Sequence, residues 1–487
     1  MAAPMLPPSD RDIFRYRFHH GVNLGSVFVL EKWLYPSMFP DGTEAELDAV
    51  IEHGRQHGLE ATRKKWEQHW CTAVTGEDLS FISQHATAIR LPIGYYHLGP
   101  SFCSNTPFEP VADVYRNAWT FICTFINIAT SNGLGVLIDL HALPGGANPD
   151  VHSGISRRSR SRHHHNPVMN LMNKLNRHIG VIPDSPQAEF WEKKRYRNLG
   201  TAAARRIAED VMCLDGIVGL QVVNEAVAGA QNKGMWEWYD EVIKAVSEAD
   251  KAHNHHTGLP VYISDAWDVC SAVQYASRQT YPTIVDTHKY FCFPPTSGKH
   301  PDAILSSIPT LPFPAHVAVG EFSSVMSGDS WSKIAPSARD DYVKRFTQAQ
   351  LQKYRACAGS TYFWTAKMQW MPGGEWGFFE QVQKGNIDFP QPLPADYVLG
   401  GRGQKRGQAW REHTEHWGPK WDHSAFARGW DVGWEDGIRF LVKGAVIGFA
   451  EAWARKRLLE SGETGEYAWE FEHGVMKGVL DVRHFQA

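Results

Sequence analysis

Eight short apolar segments rich in β-branched residues recur along the first three-quarters of the chain, each followed by a longer stretch of polar or helical character. They are His19–Leu24, Ala86–Leu91, Gly135–Asp139, Val218–Val223, Pro260–Ser264, Ile284–Thr287, Val317–Gly320 and Thr361–Trp364. The intervening stretches include Val114–Ser131, Ala188–Cys213, Met235–Ala252 and Ala338–Cys357, which read as helices. Strands covered on both faces show unbroken apolar runs rather than alternation. Eight such strands alternating with helices point to a closed parallel barrel. The expected fold class is therefore α/β, a (β/α)8 TIM barrel with a C-terminal, mainly helical extension. An open sheet built to bind a dinucleotide would carry a Gly-rich phosphate turn early on, and Gly21–Gly25 lacks that spacing.

The expected division of the chain is an N-terminal segment over 1–17, a barrel over 18–393 and a helical extension over 394–487. A basic insertion at 155–187 interrupts the barrel after its third strand, with Arg157, Arg158, Arg160, Arg162 and His163–His165. It reads as a solvated loop. Three adjacent His side chains diverge and have no neighbouring Cys or carboxylate, so no metal site is expected there. The extension opens on a Gly-rich connection, Gly400–Gly407, and a Trp-rich stretch through Trp434. One amphipathic helix is expected over Asp436–Leu459, with Ile438, Leu441, Ala445, Phe449 and Trp453 on one face. A second is expected over Tyr467–Val482. Packing on the barrel is the expected job of these helices, with a homo-oligomer contact as the alternative.

Composition narrows the function classes. A formal net charge of −4 over 487 residues gives no global case for nucleic acid as partner. No apolar run reaches the length that spans a bilayer. The seven Cys residues are odd in number, widely spaced and free of any CxxC. That fits reduced thiols, and Met1–Asp10 lacks the charged-then-apolar pattern of a secretion signal. The expected location is cytoplasmic. Nineteen Trp residues suit a carbohydrate partner, because the C–H face of a sugar ring is apolar and packs on indole.

Chemistry is expected at the C-terminal ends of the strands, where a barrel of this kind gathers its functional side chains. The fourth segment ends in Gln221-Val-Val-Asn224-Glu225 and the seventh runs Val317-Ala-Val-Gly320-Glu321-Phe-Ser323. A carboxylate at the end of a buried apolar strand costs desolvation. Two of them on opposite sides of one mouth can face each other across a sugar. One would protonate the leaving oxygen while the other meets the anomeric carbon, at a separation of about 5–5.5 Å if configuration is retained.

A set of short motifs falls in register around this pair. Gly21-Val-Asn-Leu-Gly25 is followed by Val29-Leu-Glu31 and Trp33, then Arg90-Leu-Pro-Ile-Gly-Tyr95, Asp139-Leu-His141 and Pro144-Gly145. Asn224-Glu225, His288–Tyr290, Gly320-Glu321, Phe363-Trp364-Thr365 and Phe389-Pro-Gln-Pro392 complete it. Over residues 18 to 393 the chain resembles glycoside hydrolase family 5, with fungal exo-β-1,3-glucanases as its nearest likeness. The resemblance implies Glu225 as acid/base and Glu321 as nucleophile, working without a cofactor. It implies Asn224 on the sugar 2-hydroxyl, and Arg90 and Tyr290 beside Glu321. His141 and His288 would line the site or orient its carboxylates, Glu31 would accept from hydroxyls at the far end of the sugar, and Trp364 would form an apolar floor.

One motif departs from the pattern. Those glucanases carry a Phe-Asp-Asn stretch after the third strand, and here Asp150-Val151-His152 stands in its place. Phe293 can supply one half of an aromatic clamp; the other half is missing. The expected activity is exo-acting, retaining hydrolysis of terminal β-glucosyl residues, with β-1,3-glucan or its oligosaccharides as first-choice substrate. Another aglycone (a glycolipid, a diglycoside or a phenolic glucoside) is the alternative. A catalytically silent barrel that binds glycans is the reading from a different class, and the covalent intermediate would also allow transglycosylation.

Overall fold

The computed structural model describes residues 5–156, 188–227, 233–252, 258–311, 316–389, 398–418 and 423–484. The basic run Arg157–Arg162 with His163–His165 lies outside the described residues, as do Pro390–Pro392 of the Phe389–Pro392 motif. Eight parallel strands close in chain order: β1 His19–Asn23, β2 Ala88–Gly94, β3 Gly135–Ala142, β4 Ile217–Gln221, β5 Val261–Ser264, β6 Thr283–Lys289, β7 Val317–Phe322 and β8 Ser360–Phe363. β1 seals the barrel against β8, with Gly21 opposite Tyr362 and Val22 opposite Phe363. Nearly every strand residue is buried, as the unbroken apolar runs require. All eight expected strands are present, with small shifts at their ends.

The barrel helices differ more in detail. Val114–Ser131 divides into a 3-10 turn over Glu109–Tyr115 and a helix over Ala118–Ser131. Ala188–Cys213 is broken at Lys193 into Glu189–Glu192 and Lys194–Val211. Lys233–Ala252 and Arg339–Cys357 follow the expected spans closely.

At the C-terminal rim the ladder between β6 and β7 slips by a residue, so that Thr287 faces Val319 but His288 faces Glu321. The residue passed over is Gly320. A Cβ there would stand 1.8 Å from Asp286 Oδ1, so only glycine leaves room for that carboxylate. Such a bulge re-aims the side chains next to it, here His288 and Glu321.

The extension corrects the single helix expected over Asp436–Leu459. Two helices occupy that region, Ser424–Val442 and Ala450–Ser461, and Gly444 turns the chain between them at φ +69°. Ala445 and Phe449 lie in the extended connection, whose backbone pairs with the lead-in to β1: Phe18 N–H donates to Val446 O at 2.6 Å and Gly448 N–H to Tyr16 O at 2.8 Å. The three-to-four spacing of apolar residues therefore marks burial, but not one continuous helix. The expected second helix is present over Ala468–His484.

The helices Ser424–Val442 and Ala468–His484 meet at backbone contact. A Cβ on Gly433 would approach Val475 O to 2.1 Å, and one on Gly474 would approach Phe426 O to 2.1 Å. Residues Gly429, Gly433 and Gly437 on one helix and Gly474 and Gly478 on the other form this seam.

The pair sits beneath the N-terminal end of the barrel. Phe449 packs on Gly359 and Tyr262, and Trp453 on Tyr16, in one apolar cluster with Leu137, Val218, Ile284 and Tyr362. Arg483 donates to Arg355 O and Ala358 O just ahead of β8. The extension thus forms part of the barrel floor, at the end opposite the strand termini Asn224, Glu225 and Glu321. Among the described residues no helix is long and apolar enough to cross a membrane.

Phe449 is fully buried. Phe449→Ala should cost about 3–5 kcal/mol through the cavity it leaves, read as a lower urea midpoint, with barrel and extension unfolding together in one transition.

Candidate active site

Arg90 enters the barrel from β2 and is wholly buried. Its Nε donates to Gln221 Oε1 at 2.8 Å, Nη1 to Asn23 Oδ1 at 2.9 Å and to Glu321 Oε1 at 2.8 Å, and Nη2 to Asn224 Oδ1 at 2.8 Å. Asp139 Oδ2 lies 3.0 Å from Nη2. One guanidinium therefore gathers side chains from β1, β3, β4 and β7. Its fixed fork of donors suits several acceptors in one plane. Burial alone would lower its pKa, but the charges of Asp139, Glu321 and Asp286 more than reverse this.

Glu321 accepts from Arg90 on one oxygen and from the Tyr290 hydroxyl on the other, at 2.6 Å. Burial, and then the neighbouring Glu321 charge, pushes the Tyr290 phenol well above its usual range, so it stays a donor.

Glu225 follows β4 in a left-handed conformation, φ +44°, which is strained for a residue with a Cβ. His288 Nδ1 lies 2.7 Å from its Oε1 and His152 Nε2 lies 3.4 Å from its Oε2. Both histidines also engage their second nitrogen: His288 Nε2 meets Asp286 Oδ2 at 2.9 Å, and His152 Nδ1 meets His141 Nε2 at 3.1 Å. His141 gives its own Nδ1–H to Asp139, at 2.6 Å, so its Nε2 accepts. A histidine donating from both nitrogens is an imidazolium. Burial would lower both His152 and His288, yet their carboxylate partners hold them well above the usual imidazole range. Burial by itself would raise Glu225; hydrogen bonds from the two imidazoliums outweigh it and hold the carboxyl well below its ordinary value.

Single oxygens of Glu225 and Glu321 and a nitrogen of His288 all lie within 4.8 Å of one another. Asp150, His152 and Glu225 form a second such group. Both are three-residue sets of metal-capable type. In each, the histidine nitrogen facing Glu225 is directed at a carboxylate oxygen, at 2.7 Å for His288 and 3.4 Å for His152, and its other nitrogen is engaged by Asp286 or His141.

The far end of the site is walled by Glu31 and aromatic rings. Trp33 Nε1 donates to Glu31 Oε2 at 2.8 Å, and burial raises the Glu31 carboxyl. Rings of Trp33, Trp376, Tyr290 and Phe293 succeed one another at centroid spacings of 5.4, 5.8 and 6.0 Å. The buried Glu46 fixes the loop bearing Glu31, accepting from Leu30 N–H, Tyr96, Tyr115 and Trp66. Trp364 is buried, and its ring edge would lie 3.0 Å from a Cβ on Gly25.

The structure thus brings Glu31, Arg90, His141, Asn224, Glu225, His288, Tyr290 and Glu321 to one mouth, with Trp364 buried beside Gly25 and Phe293 exposed. Glu31 does not pair with the adjacent Lys32, which forms its salt bridge with Glu44. Asn224 turns its amide toward His141 Nε2, at 3.3 Å. Sequence reasoning assigned no role to Asp286, Gln221, Asn23, Trp376 or His152. A signal for Asp286 was available: Asp139-x-His141 and Asp286-x-His288 are the same pattern, and residues two apart on a strand share a face. Trp267, largely exposed, stands on the loop after β5, whose Ser264 accepts from Ala226 N–H.

Comparison with known proteins bears on the family and the fold. Residues 400–486 match the family model described as the glucan 1,3-beta-glucosidase 3 C-terminal domain. Glucan 1,3-beta-glucosidase 3 of Schizosaccharomyces pombe is 31% identical over 493 residues, spanning 96% of this chain and 95% of that protein. An uncharacterized glycosyl hydrolase of Saccharomyces cerevisiae is 32% identical over 513 residues, spanning 99% and 95%. In fold, the chain is similar to the crystal structure of rutinosidase from Aspergillus niger, at TM-score 0.56 and 17% identity, covering 77% of this chain and 99% of that one.

Arg90→Met should leave Asp139 and Glu321 buried without their cation, at a cost of about 3–5 kcal/mol measured by urea denaturation. Arg90→Lys should recover little of it, because an ammonium cannot reproduce the fork.

Proposed function

The chain belongs to glycoside hydrolase family 5, and from that membership we propose that it is an exo-acting, retaining β-glucosidase that removes terminal glucosyl units, β-1,3-linked ones foremost. The observation that carries this reading is that one carboxyl oxygen of Glu225 and one of Glu321 lie within 4.8 Å of each other at one mouth. Inverting enzymes hold their carboxyl groups about 6.5–9.5 Å apart, to seat a water between them.

Glu321, positioned by Arg90 and Tyr290, attacks the anomeric carbon while Glu225 protonates the departing oxygen. The products of this step are a glycosyl ester on Glu321 and the free aglycone. Water, deprotonated by Glu225, then releases the sugar with its configuration retained. In the free site the proton resides on the imidazoliums, so His152 and His288 act as its store and Glu225 as its point of delivery. Glu31 with Trp33 closes the far end, which supports removal of single terminal sugars. Asn224, oriented by Arg90 and His141, meets the 2-hydroxyl.

A second reading concerns the leaving group. His152 occupies the place of an aromatic clamp partner and is tied to Glu225, while Phe293 and Trp267 stand exposed at the rim. This supports an aglycone side that accepts aryl or lipid groups as well as sugars.

Glu321→Gln should abolish hydrolysis of nitrophenyl β-glucoside with the fold intact by circular dichroism. A 2-fluoro-glucoside should label the Glu321 peptide in mass spectrometry. Glu225→Ala should slow laminaribiose about 10²- to 10⁴-fold while sparing activated aryl glucosides. If NMR shows α-glucose as the first sugar product from nitrophenyl β-glucoside, the retaining assignment is wrong.

His152→Gln removes one imidazolium from Glu225, whose carboxyl must then rise. The limb of the kcat/KM–pH profile that reports Glu225 should move to higher pH on laminaribiose. An unmoved limb would show that His152 and Glu225 do not share a proton.

A further inference from the structure

A second cluster of ionisable groups lies far from the mouth, where three segments of the extension converge. His413 is on the helix Arg402–Trp417, His423 immediately precedes Ser424–Val442, and Glu470 is in the first turn of Ala468–His484. All three are buried, Glu470 completely. His423 Nδ1 lies 3.1 Å and His413 Nε2 lies 3.8 Å from Glu470 Oε1, and the three donor atoms fall within 4.8 Å of one another.

The hydrogen-bond accounting there does not close. Among the described residues, both oxygens of Glu470, His413 Nε2 and His423 Nδ1 are buried and have no hydrogen-bond partner. Burying a carboxylate in this state is costly unless a cation compensates it. The second nitrogen of His423 explains its orientation: Nε2–H donates to Gly418 O at 2.8 Å, which turns Nδ1 toward the carboxylate. His413 is clamped by stacking on Phe426 at 3.8 Å. Among the described residues no Lys or Arg pairs with Glu470; Arg455 pairs with Glu472, and Lys477 with Asp481 and Glu412.

We propose that His413, His423 and Glu470 form a structural zinc site that ties three helical segments of the extension together beneath the barrel. Two imidazole nitrogens and one carboxylate oxygen are ligands that suit zinc over magnesium or calcium. Tetrahedral bonds of about 2.0–2.1 Å separate ligands by about 3.4 Å, and the distances from Glu470 Oε1 straddle that value. The carbonyl bond that fixes the tautomer of His423 is the usual support for a metal-binding histidine.

The test uses the full chain, produced with zinc supplied and passed over chelating resin. Mass spectrometry of the metal should find about one zinc per chain, and Glu470→Gln and the double variant His413→Ala/His423→Ala should lose it. Dipicolinate should lower Tm by at least about 3 °C, with recovery on adding Zn²⁺ but not Mg²⁺. Hydrolysis of an aryl β-glucoside at 25 °C should not change, since the mouth lies at the other end of the barrel. Should the variants fail to fold, zinc-edge absorption on the unaltered protein decides: nitrogen and oxygen neighbours at about 2.0–2.1 Å support the site, and sulfur neighbours overturn it. Metal-free protein whose Tm ignores both chelator and zinc overturns it too, and makes the cluster a histidine–glutamate ion pair.

Discussion

Everything at the mouth hangs on the buried guanidinium of Arg90. It touches partners from four other strands or strand ends, and each of its bonds orients a group with a second task. The bond to Glu321 sets one oxygen and leaves the other to Tyr290. That to Asn224 turns the amide toward His141. Gln221, held at Nε, passes its own amide to Asp286, which in turn carries His288. A charge in a dry barrel is tolerable only when its acceptors surround it, so the acceptors cannot drift apart without a large cost. The site is rigid for that reason.

Rigidity at the carboxylates contrasts with the way the proton is held. Glu225 sits between two imidazoliums, in a backbone conformation that is strained for a glutamate. Two glutamates this close cannot readily both stay anionic without nearby positive charge. Arg90 supplies it to Glu321, and the histidines supply it to Glu225. The Asp-x-His pairs on β3 and β6 complete the scheme by placing an aspartate behind His141 and behind His288. His141 accepts from His152, so Asp139 supports the same chain of donors from one step further away.

The barrel and its carboxylate pair were legible in the sequence because both follow from strong rules. Strands buried on two faces must be apolar throughout, and a carboxylate at the end of such a strand is conspicuous. What escaped was whatever depends on contacts between distant segments. Asp286 shares the Asp-x-His spacing of Asp139, but its place beside His288 depends on Gly320 of another strand leaving space for it. His152 looked like the loss of an aromatic partner, and the structure shows it gained as a donor to Glu225. The spacing of Ile438, Leu441, Ala445, Phe449 and Trp453 reported burial correctly and helix incorrectly. Gly444 breaks the helix, and backbone pairing with Phe18 and Tyr16 takes over from it. The glycine seam was written in the spacing of Gly429, Gly433 and Gly437, but its meaning depends on Gly474 and Gly478 some forty residues later.

The two ends of the barrel obey different constraints. At the strand C-termini polar side chains are packed around Arg90 and the two glutamates, where the proposed chemistry takes place. The floor, by contrast, is sealed with Phe449 and Trp453, and the helices beneath approach until backbone meets backbone. Phe449 reaches the start of β8 at Gly359, and Arg483 holds the carbonyl just before it. Loss of the extension would therefore open the apolar floor to water at the first residues of several strands. The strands that carry Arg90, Glu225 and Glu321 at one end are the same strands whose other end the extension covers. Its contribution to the chemistry is made through them: it holds the barrel closed, and the closed barrel keeps the guanidinium within reach of every partner.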